Sequence, residues 1–253
     1  TDEVGEQCVS NRTYTVGTPP SITIDTPMDG DIVSEGSPIS FSATVSDAQD
    51  QADEVALDWV ANGTSISTQG ATSSGTATFS DSALTYGTYN LVVTATDTDG
   101  LTDSDQINFT VNGLPTTPVV SITPSTPTTS DGLNVSIDTP STDPEGNTVS
   151  YTYEWQLGGQ VQSTQITSSL ASSATSKGEQ WTVVVTPNDG IADGVAAMAS
   201  VVIGNTAPTV GAVTVTPAGT VYSDDVLTCS ATVTDPDETP TTIYEWTIGG
   251  AVV

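Results

Sequence analysis

Three stretches of the chain repeat one pattern of hydrophobic and polar positions around a tryptophan. They read LDWVANG, YEWQLGG and YEWTIGG, and they place Trp59, Trp155 and Trp246 at intervals of 96 and 91 residues. In each stretch a large apolar residue stands two positions before the tryptophan, and an acidic residue stands between them. Alternation with a period of two is typical of a strand with one buried face. The pattern therefore predicts three equivalent strands.

Other strand-like runs surround each tryptophan strand in the same order. The runs ISFSATVSD, LNVSID and LTCSATVTD precede it, and the repeat places Asp47, Asp143 and Asp235 12, 12 and 11 residues before the tryptophans. Earlier still come PPSITIDTP, PVVSITPSTP and PTVGAVTVTP, whose prolines suit opening strands because proline is tolerated in a first or edge strand. TYNLVVTATDTDG and QWTVVVTPNDG follow in the first two copies. The order predicts a small β-domain copied head to tail.

These repeats predict three modules. Module one spans 18–113, module two spans 114–205, and module three spans 206–253 and stops just after its tryptophan strand. We interpret residues 1–17, with the strand-like RTYTVG, as the tail of a preceding module or an N-terminal strand. Half a sandwich cannot cover its own hydrophobic face. Two alternatives follow for module three: the chain is part of a longer array, or a neighbouring molecule donates the missing strands.

The charge of the chain excludes several function classes. Two basic residues face 31 acidic ones and no histidine is present, which gives a formal net charge of −29. Nucleic acids and anionic membranes repel such a chain. The lack of histidine removes the usual general base near neutral pH. No apolar run approaches the roughly 20 residues that a transmembrane helix needs. We therefore expect no enzyme, no nucleic-acid partner and no direct membrane insertion in this segment.

The phrases SDAQD, TDPEGNTVSYTYEW, TDPDETPTTIYEW and VTPNDG resemble bacterial immunoglobulin-like, PKD-like and cadherin-like repeats. Strand spacing and a third-strand tryptophan fit the same group. The fold expected is all-β: tandem immunoglobulin-like β-sandwich modules in an elongated array. The resemblance implies a place in cell-surface adhesins, large secreted proteins or the accessory regions of secreted hydrolases. The degraded motif DAQDQAD in module one and the missing glycine of DPDETP in module three depart from the family pattern.

The tryptophans are predicted to be structural. In a small sandwich an indole fills the space between the sheets, so we assign Trp59, Trp155 and Trp246 to the cores. Trp181 joins them because its position matches the apolar Leu91 of module one. A sugar-stacking platform, the functional alternative, requires exposed rings.

Acidic loops form the one candidate site. The loop after the second strand and the loop before the last strand lie at the same end of an immunoglobulin-like module, so their oxygen-bearing side chains are expected to converge. Calcium prefers six to eight oxygen ligands. The candidate ligands are Asp47, Asp50, Asp97 and Asp99 in module one, and Asp143, Glu145, Asn188 and Asp189 in module two. In the alternative interpretation these residues simply make solvated turns.

The two cysteines leave two interpretations open. Cys229 stands at an inward strand position, which suits a buried thiol or half of a disulfide within its module. A bridge between Cys229 and Cys8 of another copy would instead create a head-to-tail polymer.

The function predicted is a non-enzymatic, extracellular structural or adhesive protein of a bacterial surface, acting as a spacer, adhesin stalk or filament subunit. The alternatives are a filament with strand exchange between subunits, and accessory modules of a secreted hydrolase near a carbohydrate. The partners predicted are other copies of the chain, or neighbouring surface proteins and glycans.

Overall fold

The computed structural model describes residues 16–253. Residues 1–15 lie outside the described part, and with them Cys8 and most of the segment interpreted as the tail of a preceding module. The chain divides into two compact units, one ending at Leu114 and the other spanning Pro115–Val253. Modules two and three both fall in the second unit, and the module boundaries themselves stay predictions.

Module one is built from two β-sheets. Its strands are β1 (Ser21–Thr26), β2 (Ile32–Ser34), β3 (Ile39–Ser46), β4 (Ala56–Ala61), β5 (Thr64–Ser67), β6 (Thr76–Asp81), β7 (Gly87–Thr96) and β8 (Thr102–Asn112). One sheet has the order β1-β3-β6, and the other has the order β2-β8-β7-β4-β5. Neighbours pair antiparallel except for β2 and β8, which are parallel. This is the arrangement of an immunoglobulin-like sandwich.

The core of module one lies between the two sheets. On β3, the apolar face of the alternating run is buried: Ile39, Phe41, Ala43 and Val45. The Phe41 ring stacks on Phe79 with the centroids 4.7 Å apart, and the Trp59 ring meets Phe79 edge-on at 5.0 Å. Burial of each large apolar side chain contributes about 1.5–3 kcal/mol. The period-two pattern of the sequence therefore becomes one closed hydrophobic layer.

Module two repeats this plan. Its strands are β9 (Val119–Thr123), β10 (Leu133–Thr139), β11 (Ser150–Leu157), β12 (Gln160–Val161), β13 (Ser169–Leu170), β14 (Gln180–Asn188) and β15 (Ala197–Val202), with one 3₁₀ turn at Ser172–Ala174. The sheets have the orders β13-β10-β9 and β12-β11-β14-β15. Trp155 and Trp181 are buried between them and meet edge-on with the centroids 6.4 Å apart.

The indole N–H of the third-strand tryptophan has the same kind of partner in both complete modules. Trp59 Nε1 donates to the carbonyl oxygen of Gln69 at 3.0 Å, and Trp155 Nε1 donates to that of Thr167 at 2.9 Å. A buried donor without a partner would cost about 1–3 kcal/mol. The segment after the next strand, β5 in module one and β12 in module two, thus stabilises the buried ring in each copy.

Module three consists of two separate hairpins. Its strands are β16 (Thr209–Thr216), β17 (Thr228–Thr234), β18 (Thr247–Ile248) and β19 (Ala251–Val252), paired as β16-β17 and β18-β19. Every residue of 206–253 is at least partly accessible to solvent. The expected core position of Trp246 is wrong, because 37% of its surface is exposed. The tryptophan strands β4 and β11 pair with β7 and β14, and residues 206–253 contain no strand equivalent to these.

The expected fold class is confirmed: the chain is all-β and carries tandem immunoglobulin-like sandwiches. Within the described range 16–253, no helix has the length and apolar character needed to cross a lipid bilayer.

Candidate functional site at the linker end of each module

One aspartate follows β3, one follows β10 and one follows β17, and each caps the loop after its strand. One carboxylate oxygen, Oδ1, accepts two backbone N–H bonds in every copy. Asp47 binds the N–H groups of residues 49 and 50 at 2.7 and 2.8 Å, Asp143 those of residues 145 and 147 at 3.1 and 2.9 Å, and Asp235 those of residues 237 and 238 at 2.8 and 3.1 Å. Such bonds are a standard turn-forming role of aspartate. The repeated aspartate therefore shapes the loop.

The turn before the last strand is built in the same way. Asp97 Oδ1 accepts the N–H of Leu101 at 2.7 Å, and Asp189 Oδ1 accepts those of Ile191 and Ala192, both at 2.7 Å. Asp97 and Asp189 are only 8% and 7% exposed. These two predicted ligands are buried and serve as acceptors for their own turns.

In module one the two loops meet. The Asp50 carboxylate accepts both the backbone N–H and the hydroxyl of Thr98 at 2.9 Å. Asp99 lies beside the incoming linker, since a Cβ atom added to Gly17 would be 3.2 Å from its Oδ2. Sequence reasoning thus placed Asp50 and the turn containing Asp97 and Asp99 at the same end of the module, as the structure does.

In module two the Asn188 side chain is directed into its own turn. Asn188 donates from Nδ2 to Asp193 Oδ1 at 2.7 Å and accepts the N–H of Gly190 at 2.8 Å, so its amide belongs to its own turn. Glu145 is exposed, and its N–H donates to Asp143.

No metal cluster is formed by these residues in the part of the chain that the structure describes: no three His, Cys, Asp or Glu side chains there are arranged to hold an ion. Asp47 Oδ2 and Asp143 Oδ2 are nonetheless buried without a hydrogen-bond partner. The calcium site stays a prediction. An unchanged melting temperature of the purified chain in excess EDTA would remove it.

The family profile of the bacterial Ig domain matches residues 20–93. These residues run from the start of β1 into β7, across both sheets of module one. Over these residues module one is similar to a bacterial Ig domain. Module two repeats the strand order of module one around its own core, and no curated protein matches the sequence.

Several solved structures are similar to this chain. The fibronectin(III)-like modules of CbhA from Clostridium thermocellum are 18% identical over 73% of this chain and 94% of that one, with a TM-score of 0.38. A 1.5-MDa bacterial ice-binding adhesin gives 17% identity, coverage of 79% and 71%, and a TM-score of 0.35. The glucan-utilisation protein SGBP-B of Bacteroides ovatus is 15% identical over 93% of this chain and 66% of that one, with a TM-score of 0.28. At TM-scores this low, none of them carries an argument about function.

A threonine in the linker before each module was missed by the sequence analysis. Thr18, Thr116 and Thr206 each stand two residues before the proline that directly precedes the opening strand. We call these three residues the linker threonines. Each is hydrogen-bonded to a loop of the module that it enters. That loop follows β3 in module one, β10 in module two and β17 in module three. Their constant distance from that proline is the signal that could have found them.

Proposed function

We propose that this chain is a non-enzymatic spacer or stalk segment of an extracellular bacterial protein, whose modules carry load and hold other parts at a distance. The observation that supports it is the repetition of a closed sandwich, with its linker bonded to its own loop, in two complete copies. A bacterial Ig domain at 20–93 agrees with an extracellular, structural or adhesive role. The partners proposed are further copies or neighbouring surface proteins and glycans.

Module one has a parallel contact between β2, which follows the opening strand, and its last strand β8 that suits this role. Strand β2 pairs with β8 over Ile32–Ser34 and Thr110–Asn112. Four further bonds extend the contact: Gly30 N–H to the Asn108 carbonyl at 2.7 Å, Thr110 N–H to the Asp31 carbonyl at 2.9 Å, Glu35 N–H to the Asn112 carbonyl at 2.8 Å and Asn108 N–H to Asp29 Oδ1 at 2.8 Å. Tension on the two ends of the module shears β2, which follows the opening strand β1, against the last strand β8. The bonds between them are then loaded together, so the contact resists extension.

Module two has a smaller contact of the same kind. Thr128 and Gly204 form an isolated parallel bridge, and Gly204 N–H donates to the Pro127 carbonyl at 2.7 Å. Because fewer bonds share the load, we expect module two to unfold at lower force than module one.

Single-molecule pulling of the whole chain tests the proposal. We expect two force peaks, each followed by release of roughly 300 Å of chain for a module of about 90 residues, with module two unfolding first. Asp29→Ala removes the acceptor of the Asn108 N–H and should lower the second peak, whereas Asp53→Ala removes an exposed loop charge and should leave both peaks in place. Extension without force peaks would contradict a load-bearing role.

A second candidate is a filament in which copies exchange strands, and the uncovered face of module three favours it. Large apolar side chains there are accessible, including Val210 at 64% and Ile248 at 72%. Electron microscopy of the purified chain separates the two candidates. Regular fibres support the filament, and dispersed single particles support the spacer.

The accessory-module alternative has less support. Stacking on sugars needs exposed aromatic rings, and among the described residues of modules one and two only Tyr86 is an exposed aromatic side chain.

A further inference from the structure

The linker threonines stand where the backbone has few other ways to hold the linker. Prolines follow closely in each linker: Pro19 and Pro20, Pro118, and Pro208. Proline has no N–H, so the threonine N–H and hydroxyl are among the few donors that the entering segment offers. A bond at this residue therefore decides where the linker runs.

In the first two copies the threonine is bound by a neutral partner. The N–H and Oγ1 of Thr18 approach Gln49 Oε1 at 3.4 and 2.7 Å. Thr116 N–H donates to the Thr142 carbonyl at 2.9 Å, and Thr142 N–H donates back to Thr116 Oγ1 at 2.8 Å. Each linker is thus bonded to the module that it enters, through the loop after the second strand.

The third copy differs because its threonine touches both modules of the second compact unit. Thr206 N–H donates to Asp237 Oδ2 of module three at 2.5 Å. Its hydroxyl lies 2.7 Å from the Thr129 hydroxyl and accepts the Ser130 N–H of module two at 3.2 Å. One residue therefore joins the first turn of module two to the loop of module three.

The charges around this residue favour the contact. The Thr129 hydroxyl holds the pKa of the Asp237 carboxyl below its usual value, with the Thr206 N–H and the charge of Lys177 acting in the same direction against desolvation. Lys177 of module two also pairs with Glu238 of module three at 3.3 Å. The side chains of this ion pair are 44% and 58% exposed, and exposed pairs contribute about 0–1 kcal/mol. The bonds of Thr206 are therefore the stronger part of the joint.

We propose that the linker threonines are latches that fix how each linker enters its module, and that Thr206, held by Asp237 on one side and by Thr129 and Ser130 on the other, clamps the joint between modules two and three. The latch deepens the proposed spacer function, since a clamped joint keeps two modules in one orientation. The two ideas fail separately: pulling measures unfolding of modules, whereas the latch is measured at one amide and in the relative motion of modules two and three.

Amide hydrogen exchange of the ¹⁵N-labelled full chain tests the latch. We expect the Thr206 N–H to be protected, and Asp237→Ala to speed its exchange by about tenfold to a hundredfold, as for loss of a bond to a charged acceptor. Asp224→Ala removes an exposed charge from the same module and should change nothing at Thr206. The amides of β17 report whether the hairpin stays folded in each variant.

Two further variants test the contacts of Thr206 with module two and the Lys177–Glu238 ion pair separately. Thr206→Val keeps the N–H but removes the hydroxyl, so it should speed exchange of the Ser130 N–H and leave the N–H of residue 206 protected. Lys177→Met should leave amide exchange at Thr206 and Ser130 nearly unchanged. In ¹⁵N relaxation, modules two and three should tumble together in the parent chain and separately in Asp237→Ala. An unprotected Thr206 N–H in the parent chain, or unchanged exchange in Asp237→Ala, would overturn the proposal.

Discussion

Two identical tripeptides have different fates in this chain. In module two, Tyr153, Glu154 and Trp155 lie within β11, and the indole is fully buried with its N–H bonded to the Thr167 carbonyl. In module three, Tyr244, Glu245 and Trp246 precede the short strand β18, and 46% of Tyr244 and 37% of Trp246 are exposed. The local sequence is the same, so the difference comes from the strands around it.

What surrounds Trp155 explains its burial. Strand β14 pairs with β11 and places Val183 opposite the tryptophan, while Trp181 of the same strand packs against the indole edge-on. The β13-β10-β9 sheet closes the other side with Leu133 and Leu170. Burial of the ring is therefore a property of the completed sandwich, since the motif alone only offers a ring on one face of a strand.

The largest change in the free energy of unfolding is expected when the Trp155 and Trp246 rings are removed one at a time. Trp155→Ala should destabilise module two by about 3–5 kcal/mol, as for loss of a buried large aromatic side chain. Trp246→Ala should change stability by less than about 1 kcal/mol, because a partly exposed ring outside a core has little packing to lose. Urea denaturation of both variants measures the difference. Equal losses would show that the two tripeptides are packed alike.

A smaller change in stability, this time an increase, is expected from a substitution at Ser141. Ser141 is only 8% exposed, its Oγ has no hydrogen-bond partner, and its N–H donates to the Tyr151 hydroxyl at 2.8 Å. Module one has the apolar Val45 at the equivalent position. Because a buried hydroxyl without a partner costs about 1–3 kcal/mol, Ser141→Ala should stabilise module two by about 1 kcal/mol. Thermal melting checks this, with the exposed Ser169→Ala as the control. A lower melting temperature in Ser141→Ala would count against the assignment.

The smallest change in stability is expected when the pH is lowered. The backbone N–H and hydroxyl of Thr128 lower the pKa of Asp131, and the Thr129 hydroxyl and other donors lower that of Asp237. A folded-state pKa below the ordinary value of 3.8 means that these contacts stabilise the folded chain above pH 3.8. That stabilisation is lost as the pH falls through the lowered pKa.

Melting curves recorded from pH 7 to pH 2 test this dependence. The melting temperature should be steady near neutrality and fall below pH 3.8, less steeply in Asp131→Asn. An equally steep fall in that variant would show that Asp131 does not contribute.

Much of the fold could be predicted because it is local and repeated. Alternation identified β3, β4 and β7, and the proline spacing identified the opening strands. The position of Trp246 could not be predicted in this way, since its burial depends on strands that residues 206–253 do not contain. The acidic residues were recognised, but their partners were not: a turn aspartate and a metal ligand have the same sequence, and only the backbone N–H groups around Asp47 and Asp143 show the turn-forming role.

The linker threonines were missed for a related reason. Threonine is so common in this chain that a single one carries no signal. Only the distance from the proline, repeated at Thr18, Thr116 and Thr206, sets them apart.

The central claim is that a completed sandwich, and not the tripeptide, buries the indole. Hydrogen exchange of the four indole N–H groups in the full chain tests this claim most directly. We expect Trp59, Trp155 and Trp181 to exchange slowly, because each ring is buried and its N–H donates to a protein acceptor. Trp246 should exchange at the rate of an accessible indole. Exchange of Trp155 as fast as that of Trp246, or protection of Trp246 equal to that of Trp155, would contradict the account.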